Sequence, residues 1–275
     1  MVFDACISEN EKKFLLESLD SGLRLDGRSL YEFRKLEILP NKDIPGEVTI
    51  QLGHTRVTSK ITCQVVRPNE KRQAEGVLNI ISELSPIAST QFEAGRSSEE
   101  EVVLSRMLEK TLRRSKTVDL EGLCIVAGEK VWQIRLNLHF LDHGGNLIDA
   151  GSIAALAGLM HFRRPDVTVL GEEVTIHSAQ EKAMIPLTLH HLPVSITFAF
   201  FNQGAFFVVD PSIEEEKVKD GQLTVSMNLS QEICAYAKPG GTPLEVDQLL
   251  QCTQLAMSLS RSIVNQLKTE LNSSP

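Results

Sequence analysis

The spacing of apolar residues changes from alternate to helical, twice and in the same order, and this constrains the fold more than any single motif. Val48, Ile50 and Leu52 alternate with polar residues, Gly53-His54 offers a turn, and Val57, Ile61, Cys63 and Val65 resume the alternation, which predicts a β-hairpin. Val77 to Leu84 reads as another strand. Ser98 to Ser115 reads as a helix with Val102, Val103, Met107, Leu108 and Leu112 as its apolar stripe. Cys124 to Leu141 returns to period two, with Trp132, Ile134, Leu136, Leu138 and Phe140 on one face. A His143-Gly144-Gly145-Asn146 turn follows, then a helix of small residues from Ala150 to Phe162 that must end before Pro165.

The second half repeats the scheme. Pro186 to Phe201 and Ala205 to Asp210 read as paired strands around Asn202-Gln203-Gly204, with further strands at Leu223 to Met227 and Ile233 to Tyr236. Thr242-Pro243-Leu244-Glu245 combines a capping box with Pro at the first helical position and predicts a long helix to Leu271. A leading helix is expected from the capping box Ser8 to Glu11, with Phe14, Leu15 and Leu19 inward and Gly22 as its stop. The order predicts an α+β chain of two pseudo-duplicated β-α units, residues 1–183 and 184–275, with mixed sheets and packed helices. Ile196 to Phe201 and Phe206 to Val209 carry no Lys or Pro, so an unprotected sheet edge is expected there.

Charge and cysteines narrow the classes of function. Lys and Arg number 28 against 36 Asp and Glu, a net −8, so nucleic acid can be met only through a local basic patch. Aromatic residues are 5%, too few for a base-stacking platform. Five cysteines (Cys6, Cys63, Cys124, Cys234 and Cys252) stand far apart without a CxxC pair, which fits reduced thiols. No basic segment followed by an apolar run opens the chain, and the longest apolar stretch, Ile153 to Met160, is about eight residues. An intracellular protein without a membrane span is expected.

Candidate chemistry is sparse. His190-His191 fall on an expected strand and point to opposite faces, and His139 and His143 lack a Cys or carboxylate pair at ligand spacing, so no metal is expected. Glu99-Glu100-Glu101 suits the first turn of a helix, and Glu214-Glu215-Glu216 reads as a solvated loop between Asp210-Pro211 and Asp220-Gly221. The turn from His143 to Gly151 resembles an anion cradle, without GxGxxG or GxxxxGK. Arg106, Lys110 and Arg113 fall at i, i+4 and i+7, extended by Arg114 and Lys116. Against Glu109 alone, these five make residues 106–116 +4. A solvated face and a phosphate-contacting stripe both fit.

Longer strings carry a resemblance. RLDGR (24–28), FEAGR (92–96), LRRSKTVDLEGLCIVAGEKVWQIRLNLHFLDHGGNLIDA (112–150), HFRRPDV (161–167) and VVDPSIEEEKVKDG (208–221) together resemble the RNase PH family and, within it, the ring subunits of the eukaryotic RNA exosome. The resemblance implies an RNase PH-like fold and a six-membered ring of three heterodimers. It implies cap subunits with RNA-binding domains, associated hydrolytic nucleases, single-stranded RNA as the guided substrate, and residence in nucleus, nucleolus and cytoplasm. Active members hold phosphate with a Gly-Thr-Arg segment at the start of the helix after the glycine turn. The matching residues here are Asp149-Ala150-Gly151-Ser152-Ile153, with Ile153 in the arginine's place, and Asp220 stands nearest the catalytic aspartate. An aliphatic side chain offers no guanidinium to phosphate. The expectation is a non-catalytic subunit without catalytic residue, cofactor or metal, contacting RNA through Arg96, Arg106, Lys110, Arg113 and Arg114. The alternative is a phosphorolytic 3′–5′ exoribonuclease whose site is shared with a partner subunit.

Overall fold

The structure, a computed structural model, describes residues 7–93, 95–170, 173–178 and 181–272; Cys6 and Ala94, singled out above, lie outside the described residues. Helix α1 (Glu9–Asp20) carries the expected capping box: Ser8 Oγ accepts from the Glu11 N–H at 3.2 Å, and Glu11 Oε2 accepts from the Ser8 N–H at 3.0 Å. Leu15 and Leu19 are buried, but Phe14 is 60% exposed, because the helix covers only a narrow strip formed by Ala199, Phe201, Val208 and Val218.

The first unit is built on a six-stranded sheet. Strands β1 (Leu36–Pro40), β2 (Glu47–Leu52), β3 (Thr55–Val66) and β4 (Val77–Leu84) precede helix α2 (Glu99–Leu108); β5 (Cys124–Val126), β6 (Lys130–Asp142) and helix α3 (Leu147–His161) follow. The order is β1-β2-β3-β6-β4, with β4 parallel to β6, β5 paired to β6 and the remaining pairs antiparallel. Cys124 to Leu141 is therefore two strands: the chain folds back at 127–129, where Gly128 takes φ +82°. β1 escaped the sequence pattern. On α2, Val102 and Val103 are 40% and 44% exposed, whereas Leu104, Met107 and Leu108 face the core. The buried stripe runs through Leu104, Met107, Leu108, Thr111 and Leu112, and Val102 and Val103 lie off it by part of a turn; a π-helical turn (Glu109–Arg114) continues α2. That turn buries Thr111, whose hydroxyl lies 3.0 Å from Ser226 Oγ.

Strands β7 (Arg163–Arg164), β8 (Val167–Leu170), β9 (Glu173–Ile176) and β10 (Ile185–Pro186) form two ribbons, β7 with β10 and β8 with β9. The second unit follows with β11 (Val194–Phe201), β12 (Phe206–Val209), helix α4 (Ile213–Val218), β13 (Gly221–Met227), β14 (Ile233–Ala237) and helix α5 (Val246–Asn272). Its sheet, β12-β11-β13-β14, is antiparallel throughout, so only the first sheet is mixed. β11 begins at Val194, and His190-His191 lie before it rather than on a strand. The edge strand β12 is not bare: α1 covers Val208, and Leu30 O accepts from the Val209 N–H at 2.9 Å. Thr242 does not cap α5. Its hydroxyl is buried without a hydrogen-bond partner, and Gln248 Oε1 instead accepts from the Glu245 N–H at 3.2 Å, just before the first turn.

Helix α3 sits at the centre, against β2, β3 and β6 on one side and β11 on the other. That sandwich explains why it is apolar all round, buried from Asp149 to Leu159. Small residues set the approach: a Cβ on Gly158 would lie 2.5 Å from Ser59 Oγ. The turn into α3 is equally tight. Gly145 has φ +92°, and a Cβ there would lie 2.5 Å from the Ile213 nitrogen and 2.6 Å from the Ser212 carbonyl carbon. Gly145→Ala should therefore lower stability by at least ~3 kcal/mol, combining left-handed strain with a backbone clash, read as a lower midpoint in urea unfolding.

Candidate nucleic-acid interface

A charged seam joins the two units and fixes the surfaces around it. Asp210, fully buried and in the left-handed region at φ 51°, follows β12. Its carboxylate accepts from Arg34 Nε at 2.8 Å and Nη2 at 2.7 Å, from the Arg34 backbone N–H at 3.0 Å, from Arg28 Nη1 at 3.2 Å and from Asn146 Nδ2 at 2.6 Å. Burial would raise its pKa, but the Arg34 bonds and charge, with Asn146, hold it below the ordinary carboxylate range. Arg34 also donates to the carbonyls of Gly144 and Gly145 at 3.0 and 3.1 Å, pinning the glycine turn. Arg24 forms a bidentate pair with Glu215 at 2.9 and 2.6 Å and donates to the Val209 and Asp210 carbonyls, both at 2.9 Å.

Glu214-Glu215-Glu216 is thus no solvated loop. Ser212 opens α4 with a capping box closed by Glu215, which is 3% exposed; Glu215 and Glu216 face the seam, where guanidinium and backbone donors meet them, while Glu214 is exposed. Glu216 Oε1 accepts from the Asn146 N–H at 3.2 Å, at the start of α3. The anion cradle expected from His143 to Gly151 is therefore occupied by the chain's own carboxylate. Burial raises the Glu216 pKa against the pull of Lys219 and the Asn146 N–H, and Glu100 adds to the rise.

The residues matched to the catalytic segment fall elsewhere than expected. Ile153 is not at the helix start but seven residues into α3, 0% exposed within the main core. The residues that do stand at the start are Asn146, Leu147 and Ile148, none of them cationic. Ser152 Oγ donates to the Asp149 carbonyl at 3.0 Å and accepts from the Ser195 N–H at 3.2 Å, a packing role between α3 and β11. Asp220 is exposed; its Oδ2 accepts from the Gln203 N–H at 2.9 Å, steadying a turn where Gln203 takes φ 57°. Among the described residues, no three His, Cys, Asp or Glu side chains are grouped to hold a metal. His139 Nδ1 lies 3.1 Å from Glu83 across β6 and β4, and half-buried His143 lies against Phe92. Burial, then the Arg34 and Lys217 charges, lower the His143 pKa.

The basic stripe lies on the opposite face of α2 from the core. Arg106, Lys110, Arg113 and Arg114 are all exposed, as is Arg96 before the helix. Arg106 and Arg113 line a groove of about 380 Å³ between β4 and α2, together with Ile81, Val102, Glu101 and Glu109. Arg113 Nη1 donates to Glu109 Oε1 at 2.9 Å, and Arg96 lies 3.8 Å from Glu93, so these two charges are partly countered. Lys110 and Arg114 point to solvent outside the groove's lining. The structure brings the stripe together as a surface but leaves it outside the seam. The seam itself was legible only as an excess of arginine in 24–34; its partners stand 176 to 191 residues away.

Residues 32–165 match the model of the 3′ exoribonuclease family, domain 1, and residues 191–258 match domain 2 of the same family. The chain is 43% identical over 265 residues to exosome complex component rrp45 of Schizosaccharomyces pombe, covering 96% of this chain and 91% of that relative. It is 48% identical over 250 residues to exosome complex component RRP45 of Bos taurus, covering 91% of this chain but 57% of that relative, so it spans little more than half the bovine length. Among solved structures it is similar to a chain of the Archaeoglobus fulgidus exosome with RNA bound to the active site, with a TM-score of 0.82, 31% identity and coverage of 94% and 98% of the two chains.

The position of Ile153 has a direct consequence. Ile153→Arg should not create an anion site but bury an unpaired cation, lowering stability by about 3–5 kcal/mol, visible as loss of soluble yield and a lower unfolding midpoint.

Proposed function

The chain belongs to the 3′ exoribonuclease, or RNase PH, family, and on that premise we propose that it is a non-catalytic ring subunit of an RNA exosome. The observation that carries this reading is the start of α3. The N–H of its capping residue Asn146 is taken by Glu216, no cation stands at Asn146, Leu147 or Ile148, and the Asp210 carboxylate lies in the same seam. An incoming phosphate would meet carboxylates where a transferring phosphoryl group needs a preorganised cationic clamp. The chain's contribution is then structural. It pairs with an RNase PH-like partner, closes the six-membered ring below cap subunits with RNA-binding domains, and guides single-stranded RNA to hydrolytic nucleases for 3′–5′ processing and decay. Nucleus, nucleolus and cytoplasm are the compartments of that work. Arg96, Arg106, Lys110, Arg113 and Arg114 supply phosphate contacts, which position RNA without reading its sequence.

Two measurements test the reading. The purified chain should release no nucleoside diphosphate from RNA in the presence of inorganic phosphate, and Asp220→Asn should leave decay by the assembled complex unchanged. Phosphate-dependent release that Asp220→Asn abolishes would instead establish a phosphorolytic site shared with the partner. In the assembled ring, Lys110→Glu should weaken single-stranded RNA binding and flatten the log–log salt dependence by about 0.7 per lost contact, with base preference unchanged. An unaltered salt slope with intact assembly would make the stripe a solvated face.

A further inference from the structure

Asp149 sits where the two units meet, fully buried, and among the described residues it forms no ion pair. Its Oδ2 accepts from Asn146 Nδ2 at 2.7 Å and from the Thr197 N–H at 2.8 Å, and its Oδ1 lies 2.7 Å from Thr197 Oγ1. The second Nδ2 proton of Asn146 goes to Asp210 Oδ1 at 2.6 Å, so one amide bridges two carboxyl groups. Asp210 holds Arg28 and Arg34 and is the ionised member of that pair. Asp149 has only neutral donors. Thr197 Oγ1 lies a further 3.1 Å from Thr224 Oγ1 on β13, so a proton on Asp149 Oδ1 would start a directed run of hydroxyl bonds: Asp149 to Thr197, Thr197 to Thr224.

We propose that Asp149 holds a proton well above the ordinary carboxyl range and acts as a proton-operated fastening between α3 of the first unit and β11 of the second. When the proton leaves to solvent, a second carboxylate faces Asp210 across a single amide. The groups that meet this charge are Asn146 on its own helix, Thr197 on β11, Thr224 on β13, Asp210 after β12, Arg34 on the N-terminal arm and Glu216 on α4. The one cation among them, Arg34, is already engaged by Asp210. Burial pushes the Asp149 carboxyl up to about 7, against the Asn146 and Thr197 bonds, with the Asp210 charge adding to the rise.

The sign follows from linkage. The folded chain binds this proton more tightly than the unfolded chain, so stability falls as pH rises from the ordinary carboxyl range to about 7 and stops falling above it. Carbon-13 NMR of the full chain labelled at aspartate Cγ should show one resonance with a midpoint near 7, absent in Asp149→Asn. In urea, the wild-type unfolding constant should rise by up to about tenfold per pH unit between about pH 5 and 7, and Asp149→Asn should lose that rise. If Asp149→Asn does not fold, Thr197→Val, which keeps the backbone N–H, should displace the midpoint of the same resonance. Aspartates that all titrate below about pH 5, an Asp149→Asn slope equal to wild type, or a midpoint unmoved by Thr197→Val would each overturn the proposal.

Discussion

One buried carboxylate, Asp210, ties together three stretches of chain that have no reason to meet on local grounds: the N-terminal arm at Arg28 and Arg34, the start of α3 at Asn146, and the end of β12. Desolvating these charges costs as much as their attraction returns, so the cluster is better understood as a device of geometry than of net stability. Its removal is another matter, since Arg34 would be left without its carboxylate beside a turn whose two carbonyls it holds. The placement of α3, and with it both sheets, depends on that arrangement being complete.

The same arrangement decides what the first turn of α3 can do. A helix start between glycines is an anion site in waiting, because its N–H groups are free and its dipole is positive. Here α4 packs onto Gly145 and delivers Glu216 to the Asn146 N–H. The position is filled from within, by a group of the sign that a phosphate carries. Away from the seam, the chain presents an exposed run of cations along α2 and its π-helical turn, beside the edge strand β4.

Where the sequence reading erred, a long-range partner had overridden a local rule. Glu215 and Glu216 look like solvent-facing residues until Arg24 and Asn146 arrive from distant parts of the chain. Thr242 has the letters of a cap, yet it packs near Gly221 and the helix begins after Glu245. Val102 and Val103 are apolar, yet the buried face passes through Leu104, Met107, Leu108, Thr111 and Leu112 at helical spacing and leaves both valines outside it. Ile153 was matched to a helix start by its letters, and the first turn proved to lie earlier, at Leu147.

The periodicity of the chain determined by itself that it would fold as strands and helices in a repeated order, because alternation and helical spacing are local consequences of backbone geometry. It also determined the burial of β6 and the small-residue nature of α3, since the apolar face of a strand and the close approach of a helix are written residue by residue. Only the tertiary structure decided which ionisable groups are buried, which are paired and which meet solvent. A carboxylate's state depends on burial and on the donors within a few ångströms, and for Asp149, Asp210 and Glu216 those donors come from elements that share no local pattern with them.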